Sequence, residues 1–137
     1  MNKYKKIIAI ICARKNLKNL KNKNLKKLNG KPLIFHTIKA AKNTKKIKDI
    51  YVSTDSIKIA QTAKKFGAKV PFLRPKKLAT DITKTDDVLR HALLKIENKN
   101  NEKIDYVVYL QVTEPLRPKN IITKCINKIL SHKLDTV

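Results

Sequence analysis

Glycine is nearly missing from this 137-residue chain: Gly30 and Gly67 are the only two. Glycine-rich phosphate loops are thereby excluded, since G-x-x-x-x-G-K-[ST] and G-x-G-x-x-G both need backbone that approaches a phosphate without a Cβ. The two cysteines, Cys12 and Cys125, are too few and too far apart for a metal-ligand spacing or a disulfide framework. Cys12 falls in an apolar run and reads as a small buried residue. Tryptophan is absent and aromatic residues make up 5%, which leaves few platforms for stacking bases. No apolar run approaches the roughly 18 residues of a membrane span. The start, MNKYKKIIAIICA, imitates a signal peptide, but its apolar stretch is short and Arg14 and Lys15 follow at once. A buried first strand accounts for it, and a cytoplasmic location is expected.

Acidic residues are scarce as well. Ten Asp+Glu face 33 Lys+Arg, for a net charge of +23. Such a balance points either to a polyanion partner or to a surface that carries lysine at every tolerant position. The lysines run from Lys3 to Lys133 without gathering on a tail, which favours the second reading, with nonspecific polyanion binding expected at low salt. A hydrophobic fraction of 42% with 31% charged residues indicates a soluble globular chain with one core rather than disorder.

Only four of the basic residues are arginines, and three stand at the exits of strand-like runs. Arg14 follows IIAIICA, Arg74 follows KVPFL, and Arg117 closes LQVTEPLR. A guanidinium offers a planar fork for phosphate, carboxylate or a base edge that an ammonium does not. Their shared placement suggests an anion or nucleotide site. Singly, each fits a residue that ties down a loop or pairs with a carboxylate equally well.

Strand and helix patterns alternate along the chain. Lys6 to Ala13 is a continuous apolar run, as in a central parallel strand covered on both faces, and a polar loop follows from Arg14 to Asn24. Pro32 opens a helix over PLIFHTIKAAKN. Asp49 to Thr54 is the second strand, and Ser56 to Phe66 is an amphipathic helix stopped by Gly67. Lys69 to Leu73 is the third strand. Thr83 to Lys95 is helical, with Asp86 and Asp87 where they suit the helix dipole. Asp105 to Gln111 is the fourth strand, Pro118 opens a last helix, and Leu134 to Val137 starts a fifth strand. This rhythm predicts a three-layer α/β/α fold with a mostly parallel sheet and a single domain over residues 1–137. The pattern stops in mid-strand, so the chain reads as truncated at its C-terminus. Ligands of such folds bind beyond the carboxyl ends of the strands. Here those ends carry Arg14 and its loop, Ser53-Thr54-Asp55, Arg74, and Gln111 to Arg117.

The loop ARKNLKNLKNKNL brings Arg14, Lys15, Lys18, Lys21 and Lys23 together, enough charge to wrap a triphosphate, although a solvated loop accounts for a lysine run equally well. The stretch IAIICARKNLKNLKNKNLKKLNGKPLIFHTIKAA resembles the opening of the acylneuraminate cytidylyltransferases, or CMP-sialic acid synthetases. Their signature runs roughly A-R-x-x-S-K-x-x-x-x-K-N-[IL], followed by G-K-P-L. Three later segments agree in order and context: DIYVSTDSIKIAQTAKKFGAKVPFLRP, LATDITKTDDVLRHAL and YLQVTEPLR. The resemblance spans essentially the whole chain and places it as the N-terminal portion of that family.

What the resemblance implies is a Rossmann-like, nucleotide-diphospho-sugar transferase fold used as a nucleotide-binding domain. The implied activity transfers CMP from CTP to a 2-keto nonulosonic, sialic-acid-like sugar and releases pyrophosphate. Mg²⁺ is the implied cofactor, its protein ligands lying outside this chain, and a homodimer is an implied assembly. By matching position, Arg14 and Lys18 are the implied catalytic contacts on the phosphates, with Lys23 in support. Asn24 and Arg74 would contact the cytidine, Thr83 and Thr85 stand where the family has serines near the nucleotide, and Gln111 would face the sugar. Asp55 is expected to shape the pocket rather than hold a metal. The chain departs from the pattern at Leu17, where the family offers a serine hydroxyl, at Asn19, where glycine is usual, and at Glu114, which replaces a small residue. Three alternatives stay open: a catalytically silent truncated relative, a CMP-Kdo synthetase type, and a lysine-rich polyanion- or nucleic-acid-binding protein. His36 is expected in packing or on a helix surface, and His91 and His132 on helix surfaces.

Overall fold

The computed structural model describes residues 5–17, 20–114, 116–118 and 120–137. Its elements in chain order are β1 (Ile7–Cys12), β2 (Asn16–Leu17), β3 (Leu20–Lys21), β4 (Lys27–Leu28), β5 (Lys31–Pro32) and α1 (Leu33–Lys42). Then come β6 (Asp49–Ser53), α2 (Ile57–Lys65), α3 (Thr85–Asn100), β7 (Tyr106–Gln111) and α4 (Ile121–His132). The sequence IIAIIC makes β1 the middle of a parallel sheet in the order β6-β1-β7. A run this rich in isoleucine suits a strand that is buried on both faces. Side chains alternate along it. Ile7, Ala9 and Ile11 join Ile34 and Ile38 of α1, Ile59 and Ala63 of α2, and Ile122 and Ile126 of α4 in one core. Ile8 and Ile10 join Tyr51 of β6 and Ala92 and Ile96 of α3 in a second core on the other face. The three-layer α/β/α arrangement expected from the sequence is therefore present, and each fully buried isoleucine contributes about 1.5–3 kcal/mol.

Three expectations need correction. The third strand, Lys69 to Leu73, reduces to one parallel bridge between Tyr51 and Lys69. Lys69 N–H donates to the Ile50 carbonyl at 2.8 Å, and Val52 N–H donates to the Lys69 carbonyl at 3.0 Å. The next donor toward β6 would be residue 71, a proline with no N–H, so the ladder stops. The fifth strand, Leu134 to Val137, is irregular. It leaves α4 through Lys133 in the left-handed conformation, and Leu134 N–H is committed to the Ile129 carbonyl at 3.1 Å. The helix expected from Thr83 begins at Thr85, because the Thr83 hydroxyl turns back onto that of Thr80 at 2.7 Å, and it continues past Lys95 to Asn100. The loop from Arg14 also contains the small hairpin β2-β3 and a 3₁₀ turn over Lys23–Leu25. With so little glycine, four asparagines (Asn22, Asn29, Asn101 and Asn120) take left-handed backbone, which asparagine tolerates better than other side chains.

Candidate functional site

Cys12 is the register partner of both Ser53 and Gln111, so the three strands end level and the segments leaving them share one end of the sheet. A cleft of about 300 Å³ opens there. Cys12 and Tyr109 line it from the sheet, and Arg14 and Asn24 line it from the connection between β1 and α1. Arg74, Leu78, Thr80, Asp81 and Thr83 come from the connection between α2 and α3. Thr85 and Val88 open α3, and Gln111, Val112 and Thr113 complete the wall.

Arg14 is held by three separate segments. Its carbonyl accepts Asn24 Nδ2 at 2.8 Å. The N–H of the next residue, Lys15, donates to Asp55 Oδ1 at 2.7 Å. Its guanidinium pairs with Asp81, with Nη2 2.7 Å from Oδ1. Asn24 is buried although polar, which the bond to Arg14 compensates.

Arg74 is more deeply committed. It is buried, donating from Nε to Ser53 Oγ at 3.0 Å, from Nη2 to the Ser53 carbonyl at 2.7 Å and from Nη1 to the Leu78 carbonyl at 3.4 Å. Burial draws its pKa below the ordinary value, Arg14 adds to that, and Cys12 and Asp55 oppose it; the guanidinium stays protonated. The Cys12 thiol, expected to be buried, is half-buried at the cleft. Burial pushes it up to about 11 against the nearby Arg74 charge, so it is neutral at physiological pH and no nucleophile.

Of the residues singled out from the sequence, Arg14, Asn24, Arg74, Thr83, Thr85 and Gln111 meet at this cleft. Lys23 sits on the 3₁₀ turn and is not among the lining residues. Lys18 lies outside the described residues. Arg117 does not join the other two strand-exit arginines. Its Nη2 donates to the Gln111 carbonyl at 2.6 Å, and it borders a separate groove of about 770 Å³ beside β7, lined by apolar residues such as Tyr106, Val108, Ile122 and Ile126. His91 is not a surface residue: it is half-buried with its ring edge-on to Phe72 at 5.3 Å. Burial lowers its pKa, helped by Lys95, Arg74 and Lys77. His36 packs as expected, its Nε2 2.7 Å from the Leu28 carbonyl. Sequence reasoning missed Thr80, Asp81 and Tyr109 as cleft residues. Asp81 had a signal, as a lone acid among the threonines of LATDITKT in a chain short of acids.

The donors do not suit a resident cation. Among the described residues no three of His, Cys, Asp and Glu gather in one place. Asp81 is the carboxylate that lines the cleft, and Arg14 already holds it.

A family model described as cytidylyltransferase matches residues 8–137. The chain belongs to the cytidylyltransferase family. It is 43% identical over 120 residues to CMP-N,N'-diacetyllegionaminic acid synthase of Legionella pneumophila subsp. pneumophila, covering 85% of this chain and 50% of that protein. It is 40% identical over 134 residues to N-acylneuraminate cytidylyltransferase of Streptococcus agalactiae, covering 96% of this chain and 31% of that protein. Among solved structures, CMP:2-keto-3-deoxy-manno-octonic acid synthetase complexed with CTP aligns with a TM-score of 0.76 at 23% identity, over 93% of this chain and 48% of its own. That likeness establishes the shared fold, and the motif-based family assignment agrees with it. The chain spans half or less of the length of these three proteins. Among the described residues no helix is long and apolar enough to cross a membrane.

Proposed function

We propose that the cleft binds CTP and that this chain is the nucleotide-binding portion of an enzyme transferring CMP to a 2-keto nonulosonic, sialic-acid-like sugar. The observation that carries the reading is the meeting of Arg14, Asn24, Arg74, Thr83, Thr85 and Gln111 at the carboxyl ends of three parallel strands, where ligands of such sheets bind. The names of the relatives support the sugar class, since one is a CMP-N,N'-diacetyllegionaminic acid synthase and another an N-acylneuraminate cytidylyltransferase.

Arg14 takes the phosphates. Its backbone is clamped by Asn24 and Asp55, so little ordering is left for the ligand to impose. Lys18 and Lys23 add charge from the neighbouring loop. Arg74, bonded to Ser53 through two donors, serves as a fixed cationic wall for the cytidine. Asn24 commits Nδ2 to Arg14 and keeps Oδ1 to accept the cytosine amino group. The Thr83 and Thr85 hydroxyls suit the ribose, and Gln111 faces the sugar. The sugar hydroxyl attacks the α-phosphorus and pyrophosphate leaves, so the chain's contribution is positioning and charge. Mg²⁺ would enter on the triphosphate and offset its charge; the cleft residues described above do not build a seat for it. A cytoplasmic location, a homodimer and nonspecific polyanion affinity at low salt belong to the same reading.

Calorimetric titration with CTP and Mg²⁺ at moderate salt, with ATP as control, tests the proposal. CTP binds selectively if it is right. Equal, steeply salt-dependent binding of both nucleotides marks a charge-driven site and ends the cytidine assignment. Arg14→Ala weakens CTP binding by about 1–3 kcal/mol, and unchanged affinity removes Arg14 from the site.

A further inference from the structure

We propose that Asp81 is the built-in counter-ion of Arg14, holding the guanidinium until ligand phosphate takes its place and so setting the anion affinity of the cleft. The inference rests on the reading that the cleft takes a phosphate-bearing ligand. Asp81 Oδ1 lies 2.7 Å from Arg14 Nη2, with the arginine side chain 18% exposed and the aspartate 52% exposed. Most pairs this open are weak because two long side chains must be ordered to make them. Here the backbone that carries each partner is held beforehand, so only the side chains remain to be ordered. The backbone of Arg14 is fixed by Asn24 and, through Lys15, by Asp55. Asp81 projects from a tight turn in which Thr83 N–H donates to the Thr80 carbonyl at 3.2 Å, Thr80 N–H donates to Thr83 Oγ1 at 3.2 Å, and the two hydroxyls lie 2.7 Å apart.

The two aspartates near Arg14 thus have opposite roles. Asp55 spends its carboxylate oxygen on a backbone N–H and shapes the loop. Asp81 spends its own on the group that an anion needs. A phosphate oxygen that approached this nitrogen would meet the carboxylate at a few ångströms, where like charges repel strongly in a partly screened cleft. Ligand and Asp81 therefore exclude each other, and a ligand of several charges displaces the aspartate far more readily than a singly charged one. Asp81 acts through Arg14 and is a positioning residue, not a catalytic one.

The test uses inorganic tripolyphosphate, CTP, ATP and cytidine as separate titrants at moderate salt without Mg²⁺. Asp81→Asn binds tripolyphosphate and CTP about three- to tenfold tighter and leaves cytidine unchanged, while Asp81→Glu returns both anions to the parent level. Asp87→Asn, which removes the same charge from the exposed start of α3 outside the cleft lining, shifts tripolyphosphate less than about twofold. Asp81→Ala provides a second removal of the charge, and melting temperatures verify that each variant folds. Weaker or equal tripolyphosphate binding by Asp81→Asn overturns the inference, as does an equal gain in Asp87→Asn. Failure of the nucleotide reading is distinguishable, because CTP would then bind no better than ATP while the tripolyphosphate shift persists.

Discussion

Among the described residues, three helices close over β1 on the face of the sheet that carries Ile7, Ala9 and Ile11, whereas the face that carries Ile8 and Ile10 has α3 alone. On the first face the cover continues past the strand to Ala13, which is buried. On the second, Ile10 is followed by the half-buried Cys12, which lines the cleft with Tyr109. The difference comes from the connection between α2 and α3. It passes through Pro71, the Arg74 anchor and the threonine turn before a helix forms at Thr85. The site lies where the cover of the thinner face ends, and its polar side chains occupy the space a further helix would have filled.

The largest expected effect contrasts the two faces directly. Ile11→Ala leaves a cavity sealed on all sides and costs about 3–5 kcal/mol, while Ile10→Ala, next on its face to the cleft residue Cys12, relaxes more and costs about 2–3 kcal/mol. Urea unfolding of both variants measures the gap, and equal losses would erase the inequality. Arg74→Lys comes next. It strips the forked donors from the Ser53 carbonyl and hydroxyl, costs about 1–3 kcal/mol of stability and lowers CTP affinity; unchanged unfolding would reduce Arg74 to a point charge. The third concerns pH. The Cys12 thiol is raised from 9.0 to about 11 in the folded protein, so the unfolded chain loses this proton first. Its contribution is intact below pH 9 and is lost as the pH rises toward 11, by at most about 2 kcal/mol because the thiol is only half-buried. Cys12→Ala flattens that part of the stability profile. The smallest effect is chemical: at pH 8 about one Cys12 in a thousand is thiolate, so a thiol reagent labels the exposed Cys125 first. Prompt double labelling would mean that the cleft floor is open to water.

Most of the fold was legible because burial writes itself into periodicity. The isoleucine run of β1, the Gly67 stop after α2 and the apolar stretch of β7 each appear within a few residues of where they were expected. The third strand was misread because KVPFL has the composition of a strand, while the hydrogen-bond ladder depends on the one N–H that Pro71 lacks. At the site, Arg14, Asn24, Arg74 and Gln111 were legible from their places at strand ends and from the family motifs. Asp81 was not, because its role depends on a three-dimensional meeting with Arg14 across two connections. Arg117 was misassigned for the converse reason. A strand exit predicts that an arginine is near the right end of the sheet, not that it turns toward the cleft.

β1 also has a history within each molecule. It leaves the ribosome before either neighbour, yet its register partners are Asp49–Ser53 on one side and Tyr106–Gln111 on the other. Until Gln111 has been made, the six residues of β1 therefore wait with an open edge, the kind of segment that seeds aggregation. Lys5 and Lys6 before it, and Arg14 and Lys15 after it, flank that segment with charge, as gatekeeper residues do. Arg14, which lines the cleft in the folded protein, is thus also one of the charges that bound the central strand while that edge is open.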